Sequence, residues 1–380
     1  MQRLFSPLEA SIFSRWTGIR NRIRDGSAAH VCRVIACALA LALLALSTMP
    51  ALGQATKPTA KDVADLASDQ PAIARRAYNN IRTYFQNEDL GVLERSDTGR
   101  ALLPELQKHV SQSDLHLTSA VPAIFIAGDI ATEESITFLN SLRTHEQVSV
   151  RFTAITALGN TLGSAKGDGA PAIGERQMLQ VVDWLGDSVE KDTSANALRA
   201  ALEALYKGNE VDLGGFERIP GAALSKLATS ASVRLQQLAG NGPDDLSIVE
   251  SCVSVGQRLR NLMLTNRELP ESTIKEFAGL GGDILSALDR MVRVKAFPMT
   301  TSPIRDRANA AATLGVNLIF VAHNAIGRGG PLQQPDLGAE VVKGTSQGDT
   351  AFDRSFRELV TNVLSNPREP FQFRSERFLR

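Results

Sequence analysis

Cysteine and histidine are scarce in this chain, and the scarcity limits how the fold is held together. The 380 residues include three cysteines and five histidines. Cys32 and Cys37 lie in an N-terminal segment that we expect to be removed, which would leave Cys252 without a disulfide partner. No two histidines are four residues apart, and neither His-Glu-x-x-His nor Cys-x-x-Cys occurs. We therefore predict a fold that depends on its apolar core, with no metal and no cofactor.

The chain also lacks an excess of charge of either sign. It has 41 basic and 41 acidic residues, and 43% of its residues are hydrophobic, which is apolar enough for a packed core and argues against disorder. Residues 1–53 contain six of the basic and two of the acidic residues, so their removal leaves 35 basic and 39 acidic residues, a net charge near −4. Such a chain offers no concentrated basic surface, and we predict no binding to nucleic acid.

The N-terminal segment has the pattern of a secretory signal peptide. Its six arginines precede residues 34–49, a run of sixteen without charge, and Pro50 ends that run. The small-x-small triplet at 51–53 suits a signal peptidase, so we expect cleavage after Gly53, with Ala55 as second candidate, and export to the periplasm or the exterior. An uncleaved anchor is the alternative, but sixteen helical residues span about 24 Å, less than the roughly 30 Å of a hydrocarbon core. We predict no membrane span after cleavage.

Beyond residue 60 the apolar residues recur at the spacing of an α-helix, i, i+3, i+4 and i+7. No stretch shows the sustained alternation and turn dipeptides that are typical of strands. The stripes are formed by Met178, Val181, Val182, Leu185 and Val189; by Leu198, Ala201, Leu202 and Leu205; by Ile248, Cys252, Val255, Leu259 and Leu262; by Ile274, Phe277, Ile284, Leu288 and Met291; and by Phe352, Phe356, Leu359, Val360 and Val363. The prediction is an all-α fold.

Glycines recur at the ends of the Ala/Leu-rich stretches, at intervals that suggest a repeat. Gly128, Gly159, Gly208 and Gly240 are separated by 31, 49 and 32 residues. We interpret them as helix stops, because a helix commonly ends with a residue at positive φ. The longest interval contains a Gly/Ser-rich stretch at 163–169, which we interpret as an inserted loop. A period of about 30–50 residues built from two helices predicts an α-solenoid, in which neighbouring pairs stack.

Residues 132–162 carry the clearest copy of the repeat. Its first helix would be 133–142 and its second 148–159, with Val-Arg-x-x-Ala-x-x-Ala-Leu-Gly beginning at Val150. This pattern resembles the second helix of HEAT-like, armadillo-type helical repeats, and weaker echoes extend the resemblance to about residues 100–242. The resemblance implies a HEAT-like α-solenoid of stacked antiparallel helix pairs, with an extended surface for protein partners.

The expected organisation has four parts. A signal peptide at 1–53 precedes a HEAT-like repeat region at 54–242. Longer helices at 243–366 are expected to form an irregular cap or bundle with a glycine-rich loop at 327–348, and a tail follows at 367–380.

The residues that could carry chemistry each have a structural interpretation that we favour. Cys252 lies on an apolar stripe and is expected to be a core thiol, because an activated cysteine needs a basic partner and partial exposure. His323 is expected to be a structural histidine with its hydrogen bonds satisfied. Five clustered carboxylates suit a solvated face or a helix start better than acid–base work. They are Asp183, Asp187, Glu190, Glu133 and Glu134.

Two further patterns could belong to a ligand site. The glycine clusters at 279–282 and 327–330 follow no strand and lack Gly-x-x-x-x-Gly-Lys-Ser/Thr, so we interpret the first as close helix packing and the second as a loose loop. A polar stripe along the helix at 304–326 would either face solvent, which we favour, or line a groove. Its members are Asn309, Thr313, Asn317 and Asn324.

The sequence therefore predicts no catalytic, cofactor-binding or metal-binding residue. We expect an exported, non-enzymatic protein-interaction or scaffold protein of the cell envelope, with a protein partner that the sequence does not identify. The alternative is a helical enzyme of the hydrolase type, with a site near the glycine-rich loop at 327–348.

The best repeat copy also makes a prediction about packing. We place Phe152 and Ile155 on the buried stripe of the second helix, with Val148 one turn before. Arg151 and Thr153 would then be exposed, although HEAT-like repeats often use an arginine at the position of Arg151 to tie adjacent repeats.

Overall fold

A computed structural model describes residues 56–379, except for 88, 112–116, 166–170, 241–242, 267, 296–301, 328–331 and 344. The predicted signal peptide at 1–53 lies outside the described residues, so export stays a prediction. Residues Lys57–Arg380 form one compact unit.

The described residues fold into helices joined by short turns. They are α1 (Ala60–Asp65), α2 (Pro71–Phe85), α3 (Val92–Ser111), α4 (Leu117–Ile130), α5 (Glu133–Leu142), α6 (Val148–Gly163), α7 (Glu175–Lys191), α8 (Ala195–Gly208), α9 (Arg218–Gln236), α10 (Pro243–Thr265), α11 (Glu271–Arg293), α12 (Ser302–Ile326), α13 (Leu337–Lys343) and α14 (Ser346–Leu359). A π-helical turn at Val360–Leu364 and a 3-10 turn at Ser375–Arg377 follow. Among these residues there is no strand, and one isolated bridge joins Thr132 to Ala172.

The helices stack in two layers. The odd-numbered helices α1 to α11 pack each against the next odd one and form layer A, and the even-numbered helices α2 to α12 do the same and form layer B. Consecutive helices pair across the two layers, because one pair alone cannot bury its apolar face. The chain is an all-α solenoid of stacked antiparallel helix pairs, as predicted.

The longer helices continue the same stacking. α10, α11 and α12 have 23, 23 and 25 residues, and they extend both layers across the predicted boundary at residue 243. The irregular part begins later, where α13 packs on α12, and α14 and the π-helical turn pack on α11. Pro303–Ile326 is the single described helix that is long and apolar enough to cross a membrane by length and composition.

The prediction of a loop across 327–348 is wrong in its second half. α13 occupies Leu337–Lys343 and α14 begins at Ser346. The glycines that suggested a loop there serve packing instead. A Cβ on Gly338 would contact the side chains of Asn309 and Thr313, and one on Gly348 would lie 2.8 Å from the carbonyl oxygen of Glu340.

The interpretation of Gly128 and Gly159 as helix stops is also wrong. α4 continues to Ile130 and α6 to Gly163, so both glycines lie inside helices. A Cβ on Gly128 would lie 2.5 Å from the carbonyl oxygen of Ala157, and one on Gly159 would lie 2.7 Å from Cβ of Ala204. Each glycine therefore lets the backbones of two neighbouring layer B helices come into close contact. Gly240, at φ 82°, does follow a helix as predicted.

The predicted buried face of α6 is partly wrong. Ile155 is fully buried as expected, but Phe152 is 40% exposed and Val148 is 42% exposed. Thr153, expected outside, is buried, and its hydroxyl donates to the carbonyl of Ser149. The buried face follows Val150 and the small residues of the helix, because backbone-distance packing at Gly159 leaves no room for a phenyl ring.

Candidate functional site

Cys252 and His323 are both buried, and Cys252 lies in the core as predicted. Desolvation raises the pKa of the Cys252 thiol to about 12, which keeps it protonated. His323 is 3% exposed, its Nε2 lies 2.7 Å from Oε2 of Glu369, and its ring packs edge-on against Phe371.

The clustered carboxylates have structural partners and are spread over different contacts. Asp183 pairs with Lys226 across α7 and α9 at 3.4 Å, and Glu190 accepts a hydrogen bond of 2.8 Å from the hydroxyl of Ser230. Asp187 lies 3.4 Å from Nζ of Lys191. The remaining two, Glu133 and Glu134, lie in the first turn of α5, where negative charge favours a helix start.

The glycine cluster at 279–282 is close packing, as predicted, and it receives the C-terminal tail. A Cβ on Gly281 would lie 2.6 Å from the carbonyl oxygen of Gly315, and one on Gly282 would lie 2.5 Å from the ring of Phe378. Beside it the guanidinium of Arg377 binds Asp283, with Nη2 2.6 Å from Oδ2, and also donates to Ser232 at 3.2 Å.

The polar stripe on α12 is covered only in part by the chain itself, because Asn309 and Asn317 are half-buried while Thr313 and Asn324 are exposed. Gln334 donates to Oδ1 of Asn317 at 2.8 Å, and Gly338 packs over Asn309 and Thr313. A small pocket of about 220 Å³ remains there, beside Asp336. The Asp336 carboxylate accepts a hydrogen bond of 3.0 Å from the backbone of Ala339 and so fixes the start of α13.

Sequence reasoning missed a groove of about 610 Å³ between α6 and α8 in layer B. Phe152 and Val148 form its apolar wall, and Ala200 and Ala204 form its floor. These are neighbouring large apolar side chains left exposed in a packed fold, and such a patch with a polar rim is typical of an interaction site. Its rim is formed by Ser149, Thr156, Asn196, Arg199, Glu203 and Lys207.

The rim of the groove carries charges that other side chains do not neutralise. Among the described residues, Arg199 and Glu203 have no ion-pair partner, although they lie one turn apart on α8. Lys207 donates a hydrogen bond of 2.9 Å to the neutral amide of Asn160, so its charge is also not cancelled. The rim therefore has one more positive than negative charge.

A partly buried ion pair fixes the N-terminal end of the groove. Arg151 binds Asp192 with two hydrogen bonds of 2.9 and 3.2 Å, and its third nitrogen donates to the carbonyls of His145 and Glu146. The Asp192 side chain is 5% exposed, so the pair is largely shielded from water. The pair joins α6 to the turn before α8, and the two walls of the groove are held at a fixed spacing. This tie between adjacent repeats is the role that the resemblance suggested for Arg151.

The comparisons with known proteins give no activity. No protein-family model matches the chain, and no curated protein matches it. Solved structures similar to it include an engineered protein that is 17% identical over 67% of this chain and 95% of that chain, with a TM-score of 0.27. A designed armadillo repeat protein is 12% identical over 67% and 98% of the two chains, with a TM-score of 0.29. A second engineered protein is 16% identical over 84% and 97%, with a TM-score of 0.25. The stacking of helix pairs within this chain is that of an α-helical repeat solenoid.

Proposed function

We propose that this is an exported, non-enzymatic interaction or scaffold protein of the cell envelope, which binds a segment of a partner protein in the groove between α6 and α8. The observation that carries the proposal is the pair of exposed apolar side chains, Phe152 and Val148, beside the uncompensated Arg199. Exposing a phenyl ring in the middle of an amphipathic helix costs stability without a partner, and burying it on binding restores the apolar contact.

The dimensions of the groove fit a short peptide segment. Asn196 and Lys207 are eleven residues apart on α8, so the groove is open over about 16 Å of helix. An extended segment that crosses α6 and α8 has room there for the side chains on either side of it. An apolar wall with a few placed polar groups is the common composition of a recognition site.

The alternative of a helical enzyme with a site at 327–348 has less support. The described part of that segment packs on α12, and the pocket beside it holds a single carboxylate, Asp336, which already accepts a backbone hydrogen bond. A catalytic site needs a nucleophile or base within hydrogen-bond reach of a second group. The groove between α6 and α8 has nearly three times the volume, about 610 against 220 Å³, and it has the exposed apolar surface.

Site-specific photocrosslinking in cells tests the proposal. A benzophenone amino acid is placed at Phe152, and as control at Leu93, which is 81% exposed on layer A. We expect a discrete protein adduct at position 152 and none at position 93. The absence of an adduct at 152, or the same adducts at both positions, would refute the proposed site. N-terminal sequencing of the protein from envelope fractions tests export, and a cytoplasmic product that still begins at Met1 would refute it.

A further inference from the structure

We infer that the partner segment is acidic at both ends and apolar in its centre, and that it crosses the N-terminal halves of α2, α4, α6 and α8. The inference rests on the proposed function and adds the chemistry of the partner. We call the exposed side chains on the N-terminal halves of these four layer B helices the strip. The inference is argued from the chemistry of the strip, one helix at a time.

The first helix of this strip is basic. The outer face of α2 exposes Arg75 and Arg76 beside Asn79 and Asn80, around a shallow pocket of about 520 Å³. Neither arginine has an ion-pair partner among the described residues, and α2 contains no acidic residue. Their charges are therefore available to carboxylates from outside the chain.

The next two helices of layer B are apolar. α4 begins with Leu117, which is 40% exposed, and Val121 and Phe125 further along it are half-buried. α6 follows with Val148 and Phe152. The only charged residue inside α4 or α6 besides Arg151 is Asp129, which is buried against Arg82.

The fourth helix is basic again. The N-terminal half of α8 contributes the exposed Arg199, and its C-terminal half adds Lys207 and the half-buried Glu203 to the lining of the groove. The N-terminal halves of the four helices thus expose three arginines without a described ion-pair partner, Arg75, Arg76 and Arg199, and no acidic side chain, although the mature chain is expected to be net negative. Because the layer B helices run parallel, their N-terminal ends lie at one edge, and the helix dipoles add further preference for negative charge there.

The order of basic, apolar, apolar and basic helices defines the partner. Neighbouring helices lie about 10 Å apart, so the strip is about 30 Å wide, which about nine residues of extended chain would cross. Carboxylates at the two ends would face Arg75 and Arg76 at one side and Arg199 at the other, and bulky apolar side chains would fill the groove at Phe152. A nucleic acid could satisfy the arginines, but it has no side chain for the apolar centre.

Selection from a random dodecapeptide library on the full chain tests this chemistry. Binding of the selected peptides is then measured by fluorescence anisotropy against the chain and three variants. Phe152→Ala removes the apolar wall, Arg199→Glu reverses a strip charge, and Arg176→Glu reverses an exposed charge of layer A as the matched control.

We expect peptides with acidic residues on both sides of an apolar centre. Phe152→Ala and Arg199→Glu should each weaken binding about tenfold, with Arg176→Glu within twofold, and salt raised from about 50 to 500 mM should weaken it by a similar factor. Peptides that depend on Phe152 but are not acidic, or do not respond to Arg199→Glu, would overturn the inference and leave the proposed function in place. A library without any Phe152-dependent peptide would overturn both. The inference would also be overturned if an oligonucleotide displaced the peptides and bound the chain more tightly than the peptides do.

Discussion

The C-terminal tail should be held to the solenoid by one buried ion pair, and removing its cation should destabilise the fold strongly. Arg377 binds Asp283 through three contacts of 2.6 to 3.3 Å, and it stacks on Phe373 and Phe378 at 4.8 and 5.2 Å. The Asp283 side chain has no exposure, whereas that of Arg377 is 26% exposed. The substitution Arg377→Ala therefore leaves a carboxylate in the core with only polar neutral neighbours.

Removal of one member of a buried pair typically costs about 3–5 kcal/mol. Gln236 still donates to Oδ1 of Asp283 at 3.0 Å, and Ala at position 377 admits water from the exposed side. Both effects reduce the loss. We therefore expect Arg377→Ala to lower the free energy of unfolding by about 3 kcal/mol, measured by urea denaturation and circular dichroism. Arg374→Ala, in the same tail but exposed and without a described partner, should change it by less than about 0.5 kcal/mol.

The pH dependence separates the loss of the ion pair from a general loss of packing. Burial already raises the pKa of Asp283, and Arg377 opposes that rise. Without Arg377 the pKa rises further, so the folded variant takes up a proton more readily than the unfolded chain, and its stability falls as pH rises through that window. The loss of unfolding free energy caused by Arg377→Ala should therefore be smaller at pH 5 than at pH 7.5. Adding Asp283→Asn to this variant should restore part of the lost free energy at pH 7.5. A loss of unfolding free energy below about 1 kcal/mol, or a loss that does not change with pH, would refute this reasoning.

Three further outcomes follow from the burial of single residues. In urea melts, Phe152→Ala should lower the free energy of unfolding by less than about 1 kcal/mol, and Ile155→Ala should lower it by about 2–5 kcal/mol. A larger loss for Phe152→Ala than for Ile155→Ala would mean that α6 is rotated. Desolvation raises the pKa of Asp289 to about 6. The wild type should therefore lose stability relative to Asp289→Asn as pH rises from about 4 to 7, and equal dependence of stability on pH in the two proteins would contradict this. Cys252 should react with a thiol reagent at pH 8 only at the rate of unfolding, and fast labelling of the native protein would contradict its burial.

The helices and their buried stripes could be predicted because the information is local. Met178, Val182, Leu185 and Val189 lie on one face of α7 whatever the helix packs against, and all four are buried. α5 begins and ends at the predicted residues, with Thr132 as N-cap and its hydroxyl accepting from the amide of Ser135 at 3.3 Å. Local spacing and capping thus determine where a helix lies and which broad face is apolar.

The rest could not be predicted because it depends on residues far apart in sequence. Arg377 and Asp283 are 94 residues apart, and nothing in the tail sequence specifies a carboxylate on α11 as its partner. The groove likewise depends on how closely α6 approaches α8. From the sequence alone, Phe152 has the same helical spacing to Ile155 as a core residue would have, and only the contact with α8 decides that it stays outside.

The glycines that produced the repeat period explain why the groove exists at all. Gly128 meets Ala157, and Gly159 meets Ala204, so successive helices of layer B touch at backbone distance through these pairs. Contacts so close admit only small side chains, and accordingly Ala154 and Ala157 are buried while Phe152 lies 40% exposed in the groove beside α8. The period of 31 residues between Gly128 and Gly159 is therefore the period of helix contacts, and not of helix ends. One packing requirement thus generates both the repeat and the apolar surface beside it that we propose as the binding groove.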